Sequence, residues 1–305
     1  MSRFFADMAD NPFLASGLAA GLLASIACGI VGPWVVNRRI VFLAGAIAHI
    51  AIGGVGASIF LAYRWPSVFG GLSPLAGATL ASVAAALLLA WLTQRGGERL
   101  DSMIGALWSM GMALGILLIK LTPGYQSELM SYLFGNMALV SHTDLRLLFL
   151  LDLLVIGATL LFHKQFLALC LDREQAQLEG IRPLRTEAAL LVLVALTVIT
   201  LTKIVGLLLV IALLSLPAAA ATRHARSLFG GIGLSIVICT FVTVIPRLAV
   251  YGTPIGPEPA IILAAGTVYG LSFCLPRRGA TELSDPLSQE LGDPLSQEPG
   301  DPPSQ

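Results

Sequence analysis

Charged side chains are scarce in this sequence. Lysine, arginine, aspartate and glutamate make up 12% of its 305 residues, 56% are hydrophobic, and the mean hydropathy is +0.84. A soluble domain carries about 25% charged residues, because charged groups are the ones that remain at a surface in water. The shortage argues against a soluble globular protein of this size and indicates that most of the surface faces lipid.

Motifs for nucleotide hydrolysis and for the common hydrolase chemistries are missing. The three lysines, Lys120, Lys164 and Lys203, follow Ile, His and Thr, whereas a phosphate-binding loop ends in Gly-Lys-Ser or Gly-Lys-Thr. Neither His-Glu-x-x-His nor Gly-x-Ser-x-Gly occurs in the sequence. The chain is therefore predicted not to be an enzyme, and any ATP hydrolysis that drives it belongs to a separate subunit.

Net charge and cysteine spacing argue against two further classes. Lysine plus arginine balance aspartate plus glutamate at 18 each, and the sequence has no basic patch, so nucleic acid is not expected as a partner. The four cysteines are too scattered for a metal or redox pair, and we interpret them as small apolar side chains. No permanently bound cofactor is expected.

Long apolar stretches are what the sequence does have. Nine of them are roughly 17–25 residues long, the length that crosses the hydrocarbon of a bilayer as a helix. They are Pro12–Val36, Ile40–Tyr63, Leu72–Thr93, Met103–Leu121, Leu145–Phe162, Thr186–Leu201, Ile204–Ala221, Leu228–Ile245 and Pro257–Phe273. The sixth and seventh form one run that is too long for a single crossing, so we expect a tight hairpin near Lys203.

The distribution of positive charge predicts the orientation. With the N-terminus outside, the inner loops hold twelve of the 18 lysines and arginines and the outer side holds six. Positive charge concentrates in cytoplasmic loops, so the chain is expected to be a multi-pass protein of the cell membrane with its N-terminus outside. Residues 1–11 are then a short extracytoplasmic segment and residues 12–275 a transmembrane domain.

The C-terminal segment 276–305 is predicted to be a disordered cytoplasmic tail. It contains three consecutive repeats of eight residues, ELSDPLSQ, ELGDPLSQ and EPGDPPSQ. This composition is rich in Pro, Ser, Asp and Glu and lacks aromatic residues, so the tail cannot bury a hydrophobic core.

Two ionisable residues well inside predicted spans are candidates for a functional role. His49 lies near the middle of the second span, where a buried imidazole is costly and suggests a functional site. Neutral histidine is a common ligand of zinc-like metals, but packing against a neighbouring helix is an equal alternative. Asp152, in the fifth span, is a secondary candidate for an ion pathway or a carboxyl buried between helices. Gly45, Gly53 and Gly54 are interpreted as helix-packing residues.

Two segments outside the spans contain apolar residues. The stretch 122–144 is too polar and too broken by glycine to cross, so a partly inserted or interfacial segment is expected. In the inner loop 163–185, an amphipathic helix is predicted over 166–179, with Gly180 ending it. Such a helix either docks into a groove on a soluble partner or lies at the membrane interface.

Five ordered motifs resemble one family of proteins. They are RRIVFLAGAIAHIAIGGVG, DSMIGALWSMGMALGILLI, MSYLFGNMALVSHTDL, DREQAQLEGI and KIVGLLLVIALLSLPAAAA. In this order they are similar to the integral-membrane subunits of the zinc, manganese and iron-chelate ABC importers. The resemblance extends over about residues 12–273.

The resemblance implies an all-α, polytopic fold with about nine transmembrane helices and a cytoplasmic coupling helix. It implies a permease subunit that moves a divalent metal ion into the cytoplasm by alternating access. Zinc and manganese are the main candidate ions, and iron is a further one. The implied partners are a separate ABC ATPase, an extracytoplasmic metal-binding protein and a second permease copy. His49 becomes a residue of the cation path, and Asp172, Ala176 and Gly180 form the signature of the coupling helix. We refer to residues 163–185 as the coupling loop.

One position departs from the family pattern. Many members carry an aspartate one helical turn before this histidine, and here that position is Gly45. A single imidazole is a weak metal site, so pairing of two subunits would have to bring two copies of His49 to one pathway.

The alternative is a secondary metal-ion transporter or channel that works without an ATPase. It predicts inverted internal repeats and several acids within the membrane. The sequence shows no such repeat, and Asp152 is its one convincing acid in the middle of a span.

Overall fold

The computed structural model describes residues 7, 11–95, 100–123, 135, 140–171, 173–254 and 256–275. These residues form eleven helices, and the described ranges contain no strand. In chain order the helices α1 to α11 are Pro12–Asn37, Val41–Arg64, Pro66–Phe69, Pro74–Arg95, Leu100–Lys120, His142–Leu171, Arg173–Leu178, Pro183–Val205, Leu207–His224, Leu228–Ala249 and Pro257–Cys274. The predicted tail 276–305 and most of the segments 1–11 and 122–144 lie outside the described residues.

The all-α, polytopic prediction is confirmed. Each of the nine predicted spans coincides with one long helix, to within a few residues except at the end of the fifth, whose helix α6 continues to Leu171. Eight of the helices in the described ranges are long and apolar enough to cross a membrane. The other long helix, α11, begins with Pro-Glu-Pro, which lowers its mean hydropathy, so the ninth crossing stays a prediction.

Helices α8 and α9 are separated at Gly206. There φ is +89° and ψ is 152°, a conformation that glycine adopts readily and other residues do not. The helix break lies three residues beyond Lys203, where the sequence predicted a hairpin. Gly135 is the one described residue between 124 and 139, and a Cβ atom on it would overlap the backbone of Val205 and Gly206.

The helices divide into a buried set and a peripheral set. More than half of the residues in the apolar windows of α1, α2, α8 and α9 are buried, whereas α5 buries the smallest share. Outward-facing leucine and methionine side chains cover the peripheral helices, among them Met110, Leu114, Leu160 and Leu161. A helix that is apolar on every side fits a bilayer, because lipid tails solvate its outer face.

The start of the coupling loop differs from the sequence prediction. The segment 166–179 was predicted as one amphipathic helix, but α6 continues through Leu171 and the short helix α7 follows it. No glycine or proline occurs from 158 to 171, so nothing in the sequence ends α6 at the predicted membrane boundary. Phe166 and Leu169 are buried as part of α6, and Phe166 packs edge-on against Trp34 of α1.

Candidate ion pathway and coupling loop

His49 lies on the face of α2 that packs against α5. The face is formed by Gly45, His49, Gly53 and Gly56, whose spacing of four, four and three residues keeps them in line along a helix. His49 is buried, with 9% of its surface exposed. At the ninth residue of α2 it lies about 12 Å along the helix axis, deep within the span.

Glycines bring the backbones of α2 and α5 into direct contact. A Cβ atom on Gly53 would lie 2.8 Å from the carbonyl oxygen of Gly111, and one on Gly56 would lie 2.5 Å from that of Gly115. Gly54 faces the other way, toward Gly77 of α4. Small residues allow this close approach of helices in a membrane. The predicted packing glycines therefore all lie at helix contacts.

A backbone hydrogen bond fixes the tautomer of His49. Its Nδ1 atom lies 2.9 Å from the carbonyl oxygen of Gly45, one turn earlier. A carbonyl oxygen only accepts, so Nδ1 has to donate the proton, and Nε2 of the neutral ring keeps its lone pair. The imidazole is therefore oriented so that Nε2 can accept a hydrogen bond or bind a cation.

The indole of Trp108, on α5, stacks against this imidazole. The two ring centroids are 4.4 Å apart, and the ring planes are inclined by 32°. The same indole fills the space beside Gly45, because a Cβ atom on Gly45 would lie 2.6 Å from Cζ3 and 2.7 Å from Cη2 of Trp108. Sequence reasoning missed Trp108, since only the contact between α2 and α5 brings it opposite positions 45 and 49.

The structure places Asp152 on a different interface. Its helix, α6, packs against α1 and α8, whereas His49 faces α5. The Asp152 side chain is buried, and its Oδ2 atom has no hydrogen-bond partner among the described residues. Within those residues, no group of three or more His, Cys, Asp and Glu side chains could hold a metal ion. The two predicted pathway residues are thus not brought together within one subunit.

Asp144 forms hydrogen bonds and an ion pair at the start of α6. Its Oδ2 atom accepts hydrogen bonds from the backbone N–H and the hydroxyl of Ser141, at 3.2 and 2.7 Å, and the hydroxyl accepts one from the Asp144 N–H. This reciprocal cap satisfies donors that the first helical turn leaves free. Lys203, near the end of α8, pairs with Asp144 Oδ1 at 2.7 Å and so connects the ends of the two helices.

The coupling loop turns at Gly180. The N–H of Gly180 donates to Gln177 and the N–H of Ile181 donates to Ala176, each at 3.0 Å. Gly180 has a φ of +80°, and this pair of bonds is the glycine stop that commonly ends helices. Ala176 is 1% exposed, so it packs inward, whereas Asp172 lies outside the described residues.

Arg38 joins the C-terminal end of α6 to the start of α8. Its Nη1 atom donates to the Leu169 carbonyl, 2.9 Å away at the end of α6. Its Nη2 atom donates to Oε1 of Glu187, 3.3 Å away in the first turns of α8. Glu187 is 2% exposed, so the ion pair is largely removed from water. Sequence reasoning missed this link because its three residues are far apart in the chain.

Comparisons with known proteins identify similar chains over nearly the whole length. A family model described as "ABC 3 transport family" matches residues 10–275. A "probable metal transport system membrane protein" of Chlamydia muridarum is 36% identical over 91% of this chain and 94% of its own. The zinc uptake membrane protein ZnuB of Haemophilus influenzae is 28% identical over 81% and 92%. The manganese transport protein MntC of Halalkalibacterium halodurans is 29% identical over 92% and 93%.

A solved structure has the same fold. The matching chain belongs to PsaBC from Streptococcus pneumoniae in complex with Fab, and its TM-score against this chain is 0.78. The two sequences are 27% identical, and the match covers 89% of this chain and 95% of the other. The fold and the family matches therefore extend over the same helices.

Proposed function

The chain belongs to the ABC 3 transport family, and we propose that it imports a divalent metal ion as the permease subunit of an ATP-driven complex. Zinc and manganese are the candidate ions, in keeping with the names of the ZnuB and MntC relatives. The partners would be a separate ABC ATPase and an extracytoplasmic metal-binding protein. A permease subunit is not itself catalytic, which agrees with the missing nucleotide-binding motif.

The observation that carries this proposal is the orientation of His49. An imidazole held by its Nδ1 proton inside the membrane presents Nε2 as a ligand for a cation that has lost part of its water. One such ligand binds weakly, and weak binding suits transport because the ion has to leave again. A second permease copy would supply a second imidazole.

The contacts of the coupling loop support the proposal that ATP hydrolysis drives transport. It contains a turn at Gly180, and Arg38, which directly follows α1, bonds to Leu169 within the loop and to Glu187 just beyond it. A force applied to the loop by an ATPase would therefore reach α1, α6 and α8 together. In alternating access, such a movement of connected helices closes one side of the pathway and opens the other.

Metal uptake tests the proposal. Cells that lack their own zinc and manganese uptake would express the chain with the candidate ATPase and metal-binding genes of the same genome. We expect His49→Ala to reduce uptake by about tenfold or more, since it removes the ligand, whereas Phe42→Ala on the exposed surface of α2 should not. Immunoblots would confirm equal amounts of each variant. Unchanged uptake in His49→Ala would refute the role of this residue.

An ATPase that cannot hydrolyse ATP separates the importer from the alternative. We expect the permease to lose uptake when it is paired with such an ATPase. A secondary transporter or channel would continue to move the ion in that experiment, and persistent uptake would favour that second function.

The orientation with the N-terminus outside is also proposed. The support is the excess of lysine and arginine in the loops assigned to the cytoplasm. The Lys203–Asp144 pair and the Arg38 links lie at opposite ends of α8, which fits a helix that crosses the membrane.

A further inference from the structure

We propose that the acidic repeats of the C-terminal segment, residues 282–305, bind in a cavity at one end of the helix bundle. This cavity has a volume of about 340 Å³ and lies between the ends of α1, α6 and α9 and the start of α10. We call it the inner cavity, because the proposed orientation places it on the cytoplasmic side. The contact is within one chain and goes beyond the proposed function, since it does not depend on what the protein transports.

The inner cavity combines an apolar wall with a positively charged side chain. Leu167 and Leu171, at the end of α6, form part of the wall, and Leu171 is 78% exposed. Arg226 and Asn37 also line the cavity and are exposed to solvent. Within the part of the chain that the structure describes, Arg226 forms no ion pair. The cavity therefore suits a ligand that is both acidic and apolar.

The repeats supply the complementary charge. They contain six acidic residues and neither lysine nor arginine; the acids are Glu282, Asp285, Glu290, Asp293, Glu298 and Asp301. Because acidic and basic residues balance at 18 each over the whole chain, the residues before the repeats carry a surplus of six positive charges. Arg39 and Lys164, both exposed, add to this surplus near the ends of α1 and α6. The repeats are thus attracted electrostatically to this end of the bundle.

The first two repeats also supply apolar side chains. ELSDPLSQ and ELGDPLSQ each place two leucines close to the acids, whereas EPGDPPSQ has proline at both of these positions. A leucine beside a carboxylate matches a cavity that has leucine and arginine in its lining. The prolines of the repeats restrict the free chain, so less entropy is lost when it binds. We therefore assign binding to residues 282–297, and the third repeat becomes a natural control.

The end of α11 is held close to the inner cavity. Nε of Arg223, on α9, donates to the carbonyl oxygen of Ser272 at 3.1 Å, and the guanidinium lies 4.4 Å from the ring centroid of Phe273. Arg226 follows Arg223 by three residues, so their Cα atoms are at most about 11 Å apart.

The chain is long enough to connect the two sites. Glu282 is seven residues beyond Leu275, the last residue that the structure describes, and seven residues span up to about 25 Å when extended. A short flexible tether gives an effective concentration in the millimolar range. Even a weak intrinsic affinity would therefore keep the inner cavity occupied.

Cys170 provides a direct test of occupancy, because it lines the inner cavity and is partly exposed. Cys28 and Cys239 are buried, so a Cys274→Ser background leaves Cys170 as the cysteine open to a water-soluble maleimide. The full chain would be purified in nanodiscs of neutral phospholipid, and labelling of Cys170 followed by mass spectrometry. We expect deletion of 282–305 or of 282–297 to speed labelling by about fivefold or more. Deletion of 298–305 should leave the rate within about twofold.

A fluorescent peptide of residues 282–297 tests the binding partners. Added to the chain that lacks 282–305, it should bind with a Kd below about 1 mM, as measured by fluorescence anisotropy. Arg226→Gln should weaken binding by about fivefold, whereas Arg185→Gln, at an exposed arginine outside the cavity, should not. A peptide with serine in place of its four leucines should also bind more weakly, since it loses the apolar contacts.

The outcomes separate the possible occupants of the inner cavity. Equal labelling of Cys170 with and without the repeats would overturn the proposal, as would peptide binding that ignores Arg226→Gln. Protection of Cys170 that needs phosphatidylglycerol in the nanodisc, and persists without the repeats, would assign the cavity to anionic lipid instead. Protection that appears only when the ATPase is added would assign it to that subunit. None of these results bears on metal uptake, which tests the proposed function separately.

Discussion

Arg38 is a side chain that we expect to matter for stability and, under the proposed function, for coupling to the ATPase. It bonds to the Leu169 carbonyl and to Glu187, which is 2% exposed. Removing one partner of a buried ion pair costs roughly 3–5 kcal/mol, and the partial exposure of Arg38 places its loss toward the lower end. The same guanidinium keeps the ends of the coupling loop at a fixed distance. Its loss should therefore affect ATPase coupling as well as folding.

We predict that Arg38→Met lowers both the unfolding temperature and metal uptake. The double variant Arg38→Met with Glu187→Gln should recover much of the stability, because it removes the buried charge as well. It should not recover uptake, since the bond to Leu169 remains absent. Thermal unfolding in detergent and uptake per folded subunit would measure the two effects separately. Full recovery of uptake in the double variant would show that Arg38 serves stability alone.

At the residue scale, the sequence identifies some of these side chains and not others. His49 stands out because an ionisable group in an apolar run is visible without a structure. Gly180 is also visible, since a glycine after an amphipathic stretch predicts a helix end. Trp108 and Arg38 act through residues far from them in the chain. Their partners become known only when α2 meets α5 and when the coupling loop folds back on α1.

At the element scale, α5 is a peripheral helix that depends on a glycine contact with α2. It packs chiefly on α2, and a Cβ atom on Gly115 would lie 2.5 Å from the carbonyl oxygen of Ile52. Gly105, on the same helix, faces open space. The two glycines therefore form a matched pair for testing the contact.

We predict that Gly115→Ala impairs the transporter and that Gly105→Ala does not. The added methyl at position 115 meets backbone atoms that cannot rotate away, so α5 has to shift and carry Trp108 with it. Alanine at position 105 meets no neighbour and favours the helix. Unfolding temperature and zinc uptake would be compared in the two variants. Equal behaviour of the two would contradict the close contact between α2 and α5.

Element positions could be predicted well where hydropathy marks them and poorly where it does not. The long helices follow the apolar stretches, because a chain in lipid has to satisfy its backbone hydrogen bonds within each helix. The boundary between α6 and the coupling loop was misplaced, since helical geometry continues past the apolar region through Leu171. The break at Gly206 was placed nearly correctly, because one helix cannot span so long a run.

At the scale of the whole molecule, the proposed pathway needs more ligands than the single His49 of one subunit. Among the described residues, no group of three or more His, Cys, Asp and Glu side chains could hold a metal ion, and Asp152 lies on another interface than His49. Under the proposed function, a second permease copy would contribute a second imidazole to the pathway. This requirement leads to an experiment on mixed pairs of subunits.

We predict that a pair with one intact His49 transports much less than a pair with two. Two differently tagged copies, one wild type and one His49→Ala, would be expressed together and purified through both tags, then reconstituted with the ATPase. If the two imidazoles share one ion, losing either of them should remove most of the uptake. Independent pathways would instead leave the mixed pair with about half of the wild-type rate, because each subunit would then transport alone. A mixed pair in which Phe42→Ala replaces His49→Ala is the matched control for tagging and purification.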